Sequence, residues 1–491
     1  MPNAGNTSPS SAEIASTEEY DIVIIGSGAG GKLIAWTFAS EGQRVAVIER
    51  KYVGGSCPNI ACLPSKNIIH TAQVASYVRR SEEFGIAWSD FKLNMSTVRE
   101  RKRKMVSSLI ETHLAAYGDS GAELIMGFGR FIGPKTVEVT LSDGTKRQLK
   151  GTSVVINTGT HATIDSIPGL ADAQPLTHIE ALELGELPEH LIVIGGGYVG
   201  VELAQATCRL GSKVSIIDRN RDLLHREDDD VTGAIGDLFR DEGIDLILNA
   251  RIKKVSGHSG ERVKVIAEEN GVEKTIEGTH ILVTTGRTPN TKGLGLELAG
   301  AELTDRGYVK VNDRLETTAP GVWAVGEVAG SPQFTHISED DFRIFHDNVT
   351  GGNHVTTGRF VPFCVFTDPE YARVGLSEKE ARAKGIPYRL FKVPMATVLR
   401  ARALGETRGF LKALVATDSD RIIGFMNFGV GAGEVMSAVQ IAIMGGLPYT
   451  ALRDAVLAHP TLVEGLHMLF GSAPSVPSET VSAELAVQAS P

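Results

Sequence analysis

The chain has 491 residues, 42% hydrophobic and 22% charged, which are ordinary values for a globular enzyme of several domains. Its net charge of −10, from 49 basic and 59 acidic residues, argues against non-specific binding of nucleic acid or of an anionic membrane surface. Four cysteines are too few for a disulfide-built scaffold, and the absence of any run of about 18 apolar residues predicts no membrane span.

Residues 1–19 lack the basic start and apolar core of a secretory leader, so a disordered arm and a cytoplasmic location are expected. Then DIVII at 21–25 reads as a buried strand, GSGAGG at 26–31 as a turn, and KLIAWTFASEGQ as a helix. VAVIE, ending at Glu49, reads as a second strand. Strand, Gly-x-Gly-x-x-Gly, helix, strand and acid is the order of a dinucleotide-binding unit. Gly26 allows the tight turn, Gly28 lets a pyrophosphate approach the backbone, and Gly31 permits close helix–strand packing. The helix N-terminus offers N–H groups to phosphates, and Glu49 can accept from ribose hydroxyls.

GGSCPNIACLPSK, residues 54–66, holds Cys57 and Cys62. In a regular helix, positions i and i+5 point about 140° apart, too divergent for a disulfide. Pro58 suits a first helical position and Pro64 disturbs the next turn, so a distorted helix start can bring the sulfurs together. A structural disulfide, half of a metal site and a redox pair are the competing readings. No second Cys or His pair supports zinc, and a structural disulfide is odd in a cytoplasmic chain, which favours the redox pair.

The same grammar returns at LIVIG (191–195), GGGYVG (195–200) and VSIID, ending at Asp218, with Gly195, Gly197 and Gly200 in the glycine roles. Two such units suggest two dinucleotides, a flavin and a nicotinamide. Asp218 favours the ribose diol of NAD, whereas Arg219 or Arg221 can pair with the 2′-phosphate of NADP; the balance leans slightly to NAD. Cys208, in a helical pattern, and Cys364, in a strand-like run, read as small core residues. The stretch from Gly471 reads as a disordered tail, residues 471–491.

GGSCPNIACLPSK resembles the Gly-Gly-Thr-Cys-x-Asn-x-x-Cys-x-Pro-Ser-Lys signature of the pyridine nucleotide–disulfide oxidoreductases, which include dihydrolipoamide dehydrogenase, glutathione reductase and mercuric reductase. Further landmarks follow in order: NTGTHA (157–162), TTGRTPNT (284–291), TTAPGVWAVGEV (317–328), FTDPEYARVG (366–375) and HPTLVE (459–464). The resemblance implies an α/β fold with two Rossmann-like domains, for FAD and NAD(P), and a C-terminal α+β dimerisation domain. The expected division is a FAD domain at 20–165, an NAD(P) domain at 166–290, a central second FAD part at 291–360 and a dimerisation domain at 361–470.

The same resemblance implies that Cys62 is the flavin-side sulfur and Cys57 the exchange sulfur. His459 would be the base, oriented by Glu464 and delivered by the partner subunit of a homodimer. Lys66 would lie near the flavin and pair with Glu202, and Tyr198 would cover the nicotinamide pocket. Thr158, Gly159, Gly286, Gly326 and Glu327 would line the cofactors, with Glu327 in place of the family's usual Asp. No metal site is expected. Dihydrolipoyl dehydrogenase chemistry leads, with a small dithiol or a lipoyl domain as partner. Mercuric reductase-like metal-ion reduction and low-molecular-weight disulfide or quinone reduction are the alternatives. No cysteine follows Cys364, so the C-terminal pair that delivers Hg(II) in mercuric reductases is missing. A redox sensor that binds the cofactors without turnover is a further rival.

Overall fold

The structure, a computed structural model, describes residues 17–87 and 90–475, and it divides into two units. The first comprises residues through Asn59 with Ser107–His161 and Thr288–Thr357; the second comprises Ile60–Val106, Ala162–Arg287 and residues from Gly358. Residues 60–106, expected in the FAD domain, thus cluster with the second unit.

In the first unit Glu18–Ile25 pairs in parallel with Val45–Glu49 on one side and with Lys146–Ile156 on the other. Val322–Ala324 extends the sheet beyond Lys146–Ile156, and Glu123–Gly133 extends it beyond Val45–Glu49. The two long strands, Glu123–Gly133 and Lys146–Ile156, also carry Thr136–Leu141 between them as an antiparallel meander. Every residue of Val45–Glu49 is buried, as a strand covered on both faces requires.

The second unit holds a parallel sheet ordered His280–Val283, His190–Ile194, Lys213–Ile217, Asp245–Ile247. An antiparallel three-stranded sheet spans Ala250–Gly278. A five-stranded antiparallel sheet follows, from Phe363–Val365 through Ile422–Gly429. Its core joins Phe425, Leu411 and Ala413 to Val435 and Val439 of helix Ala432–Met444 and to Leu466 and Leu469 of helix Gly465–Gly471. The α/β plan with two Rossmann-like sheets and an α+β C-terminal part is the expected one. Among the described residues, no helix is long and apolar enough to cross a membrane.

Two expectations at the ends need correction. The strand begins at Glu18, inside the arm expected to be disordered, because Glu18 and Glu19 continue the register with Leu149 and Lys150 and Arg147 bonds both Glu18 oxygens. At the other end Gly471 completes a helix, and Ser475 exchanges backbone hydrogen bonds with Leu390 at 2.7 and 2.9 Å. The remainder of the expected arm and tail, 1–16 and 476–491, lies outside the described residues.

Lys412 is fully buried on a central strand of the C-terminal sheet and donates to Asp228, Asp230 and Glu378 at 2.8, 2.8 and 3.1 Å. Burial alone would lower its ammonium pKa, but the carboxylates outweigh burial and hold it above the ordinary 10.5. Burial likewise would raise Asp230, yet Lys412 and Lys392 hold it below 3.8. The raised base stabilises the fold below its unfolded value and loses that effect as pH rises past it. The depressed acid stabilises the fold above its unfolded value and loses that effect as pH falls. Lys412→Met removes the one buried cation that these three carboxylates share and is expected to cost about 3–5 kcal/mol near neutral pH, read from denaturant unfolding.

Candidate active site

Strand Glu18–Ile25 runs into Gly26, whose φ of +104° lies in the left-handed region. Gly28 is the N-cap of helix Ala29–Ser40, with no side-chain cap and no acid in the first turn. Gly31 packs so tightly that an added Cβ would meet the Gly26 carbonyl oxygen at 2.4 Å. An uncapped helix entrance free of acidic side chains fits the phosphates of a dinucleotide. Glu49 is buried; one oxygen accepts from the Ser27 N–H and hydroxyl at 3.0 and 2.7 Å, the other from the Lys51 and Tyr52 N–H groups at 2.7 and 2.9 Å. Its ribose role would share oxygens that already brace the glycine loop.

Thr158 and Gly159 are clamped by Asn290: Thr158 Oγ1 donates to the Asn290 carbonyl at 2.9 Å, and the Asn290 N–H donates to Gly159 O at 2.9 Å. Gly326 is buried at φ +73°, and its N–H donates to Asp341 at 2.7 Å. Glu327, longer than the family's usual Asp, accepts from the Thr160 hydroxyl.

The second glycine turn repeats these devices. Gly197 caps helix Tyr198–Leu210, again without a side-chain cap or a first-turn acid. The Gly195 carbonyl accepts from Thr284 Oγ1 at 2.8 Å, and Gly200 packs against it. Asp218 accepts from the Gly196 N–H at 2.5 Å with one oxygen and from Asn220 at 2.7 and 2.8 Å with the other. Arg219 is exposed, as is Gly286. The Tyr198 hydroxyl donates to Glu227 at 3.1 Å and its ring stacks on Phe363 at 5.2 Å. Burial, then the Glu227 charge, pushes this phenol well up.

Cys57 belongs to the first unit, on the single helical turn Ser56–Asn59; Cys62 belongs to the second and opens helix Cys62–Arg79. The chain breaks helical geometry at Ala61, φ −130° and ψ −101°. Pro64 does not disturb the helix that follows: as its third residue it lacks only an N–H that would have had no intrahelical acceptor. Four residues into that helix, Lys66 donates to Glu202 at 2.7 Å, and the other Glu202 oxygen accepts from the Phe366 N–H at 2.8 Å. Burial raises the thiols of Cys208 and Cys364, which keeps them protonated and inert.

His459 and Glu464 meet directly: Nδ1 lies 3.0 Å from each carboxylate oxygen. The imidazole is 61% exposed whereas the carboxylate is 17% exposed, so a fixed acid presents a reachable base. A proton on Nδ1 leaves Nε2 as the acceptor.

Sequence reasoning missed Asn157, Ser338 and Asp341. Asn157 accepts from the Gly31 N–H at 3.0 Å and donates to Val325 O at 2.9 Å, and Ser338 accepts from the Gly30 N–H at 3.1 Å. Asn157 opens the quoted NTGTHA stretch; Ser338 and Asp341 lie in helix Thr335–Val349, where no local motif marks them.

The sequence matches the family model described as pyridine nucleotide-disulphide oxidoreductase over residues 20–341, and that family's dimerisation domain over 361–470. The chain belongs to the pyridine nucleotide-disulphide oxidoreductases. It is 36% identical over 459 residues to the probable pyridine nucleotide-disulfide oxidoreductase RclA of Escherichia coli (strain K12), covering 92% of this chain and 99% of that protein. A solved structure described as the Cu(II) complex of the HOCl-induced flavoprotein disulfide reductase RclA superposes with a TM-score of 0.84, at 35% identity, covering 93% and 99% of the two chains. A mercuric reductase of Staphylococcus aureus is 33% identical, covering 92% and 82%. Mitochondrial dihydrolipoyl dehydrogenase of Dictyostelium discoideum is 31% identical, covering 92% and 93%.

The family is FAD-dependent and uses pyridine nucleotides, and both glycine turns fit such ligands. Gly31→Ala forces its Cβ onto the Gly26 carbonyl and is expected to lower bound flavin per chain several-fold, read from visible absorbance of the purified protein.

Proposed function

We propose that this NAD(P)H–disulfide oxidoreductase acts on a small dithiol or disulfide of the dihydrolipoyl type, through Cys57 and Cys62. The observation that carries this reading is the His459–Glu464 pair at 3.0 Å, an exposed imidazole fixed by a carboxylate. A base of that build suits a substrate that gains and loses thiol protons. FAD, when bound, supplies a two-electron relay between the nicotinamide and the protein disulfide.

In the disulfide-reducing direction the Cys57 thiolate attacks one substrate sulfur, forming a mixed disulfide and expelling the other sulfur as a thiolate. His459 gives that thiolate its proton. The Cys62 thiolate then attacks Cys57, which releases the second substrate sulfur and leaves the Cys57–Cys62 disulfide. The break in helical geometry at Ala61 supports this pairing, because a continuous helix would hold the sulfurs apart. Glu202 keeps the Lys66 cation in place, and the family resemblance assigns that cation to the flavin ring. Gly28, Gly326, Glu327 and the Thr158–Gly159 turn would hold FAD. Gly197 and Asp218 would hold the nicotinamide dinucleotide, with the Asp218 carboxylate favouring NAD over NADP.

We also infer a homodimer in which His459 serves the Cys57 of the other copy. The match to a dimerisation domain supports it, and so do the exposed apolar side chains Ile441, Met444, Leu447 and Val456 in that segment.

The test is NADH oxidation with lipoamide, repeated with NADPH. Cys57→Ser should abolish turnover and His459→Ala should lower it about 10²–10⁴-fold, while NADH still reduces the flavin in both. Flavin reduction without lipoamide turnover in the wild type would sink the dihydrolipoyl assignment. Glutathione disulfide, quinones and Hg(II) then become the acceptors to assay.

A further inference from the structure

Lys32 lies one turn inside helix Ala29–Ser40, close to the positive end of the helix dipole, where a cation is disfavoured. It is also half-buried, and that burial lowers its ammonium pKa. Such a placement calls for compensation. Lys32 Nζ lies 3.0 Å from His113 Nε2 and 5.6 Å from the centre of the Trp36 ring. Burial, and then Lys32 itself, pushes His113 down to about 4, so the imidazole is neutral at physiological pH. Of the two groups, Lys32 is therefore the one that carries the charge.

An ammonium donating to Nε2 leaves the imidazole proton on Nδ1, an atom that is buried without a hydrogen-bond partner. That atom rests on the turn leading to Cys57: a Cβ added to Gly54 would lie 2.4 Å from His113 Nδ1 and 3.2 Å from Pro58 Cγ. The groups that oppose the Lys32 charge are Cys57, on this turn, and Glu339, on helix Thr335–Val349. Lys32, Cys57, His113 and Glu339 all belong to the first unit.

We propose that the Lys32 ammonium, anchored by His113, is a built-in counter-charge for the Cys57 thiolate. It acts from the same subunit and adds to the base supplied by His459. When Cys57 ionises, its proton passes to that base or to water, and Lys32 keeps all of its own protons. Lys32 and His113 are positioning residues, and this inference rests on Cys57 being the attacking sulfur.

The experiment alkylates the reduced holoenzyme with iodoacetamide across a pH series and follows the Cys57 peptide by mass. Lys32→Met should raise the pH midpoint of Cys57 alkylation by about one unit, roughly a tenfold slowing below the midpoint. Lys32→Arg should restore the wild-type midpoint. His113→Phe, which leaves Lys32 but removes its anchor, should shift the midpoint the same way by less. An unmoved midpoint in Lys32→Met that retains its flavin overturns the proposal; where that variant loses flavin, an unmoved midpoint in His113→Phe does so. Full disulfide turnover by Cys57→Ser overturns the functional reading itself, whereas an essential Cys57 with an unmoved midpoint overturns this inference alone.

Discussion

One ion pair ties the helix that starts at Cys62 to the helix that starts at Tyr198. Lys66 donates to a Glu202 carboxylate that is only 8% exposed, so loss of Lys66 would leave a poorly solvated charge behind. Glu202 is doubly committed, because its second oxygen takes the Phe366 N–H from the segment leading into the C-terminal sheet. The helix that opens at Cys62, the helix that follows the second glycine turn and the start of the C-terminal domain therefore share one carboxylate. That constraint fixes one cysteine of the pair relative to the second glycine turn within the same unit.

The two glycine turns are built alike in more than their glycines. Each following strand ends in a buried acid that reaches back to the N–H of the residue after the first glycine, Glu49 to Ser27 and Asp218 to Gly196. Each loop is closed from the far side by a polar residue just past a parallel strand, Asn157 in one and Thr284 in the other. Both acids are expected to meet a ribose, yet their contacts in the structure are internal. They shape the loop that leads into each uncapped helix entrance.

What was legible in the sequence was whatever depends on local spacing. The glycine turns, the acids that end each second strand and the interrupted helix between Cys57 and Cys62 all follow from residues close in the chain, whereas the pairing of His459 with Glu464 was read from the family's His-Pro-Thr-x-x-Glu segment. Lys66 with Glu202 spans 136 positions and was found only through the family signature. Asn157 and Ser338 were not found, since an amide or hydroxyl bonding a backbone N–H more than a hundred positions away leaves no periodic trace, and Asp341, fifteen positions from the Gly326 N–H it accepts from, sits in no local motif. The chain ends were misjudged for a related reason. Polar composition suggested disorder at Glu18 and Ser475, whereas strand pairing with Leu149 and Leu390 orders them.

The central claim is that Cys57 and Cys62 hold an electron pair separate from the flavin's. Anaerobic titration of the purified protein with dithionite measures that directly. The account predicts uptake of one electron pair beyond the flavin's own, lost equally in Cys57→Ser and Cys62→Ser. Uptake in the wild type that ends with the flavin's pair would contradict it.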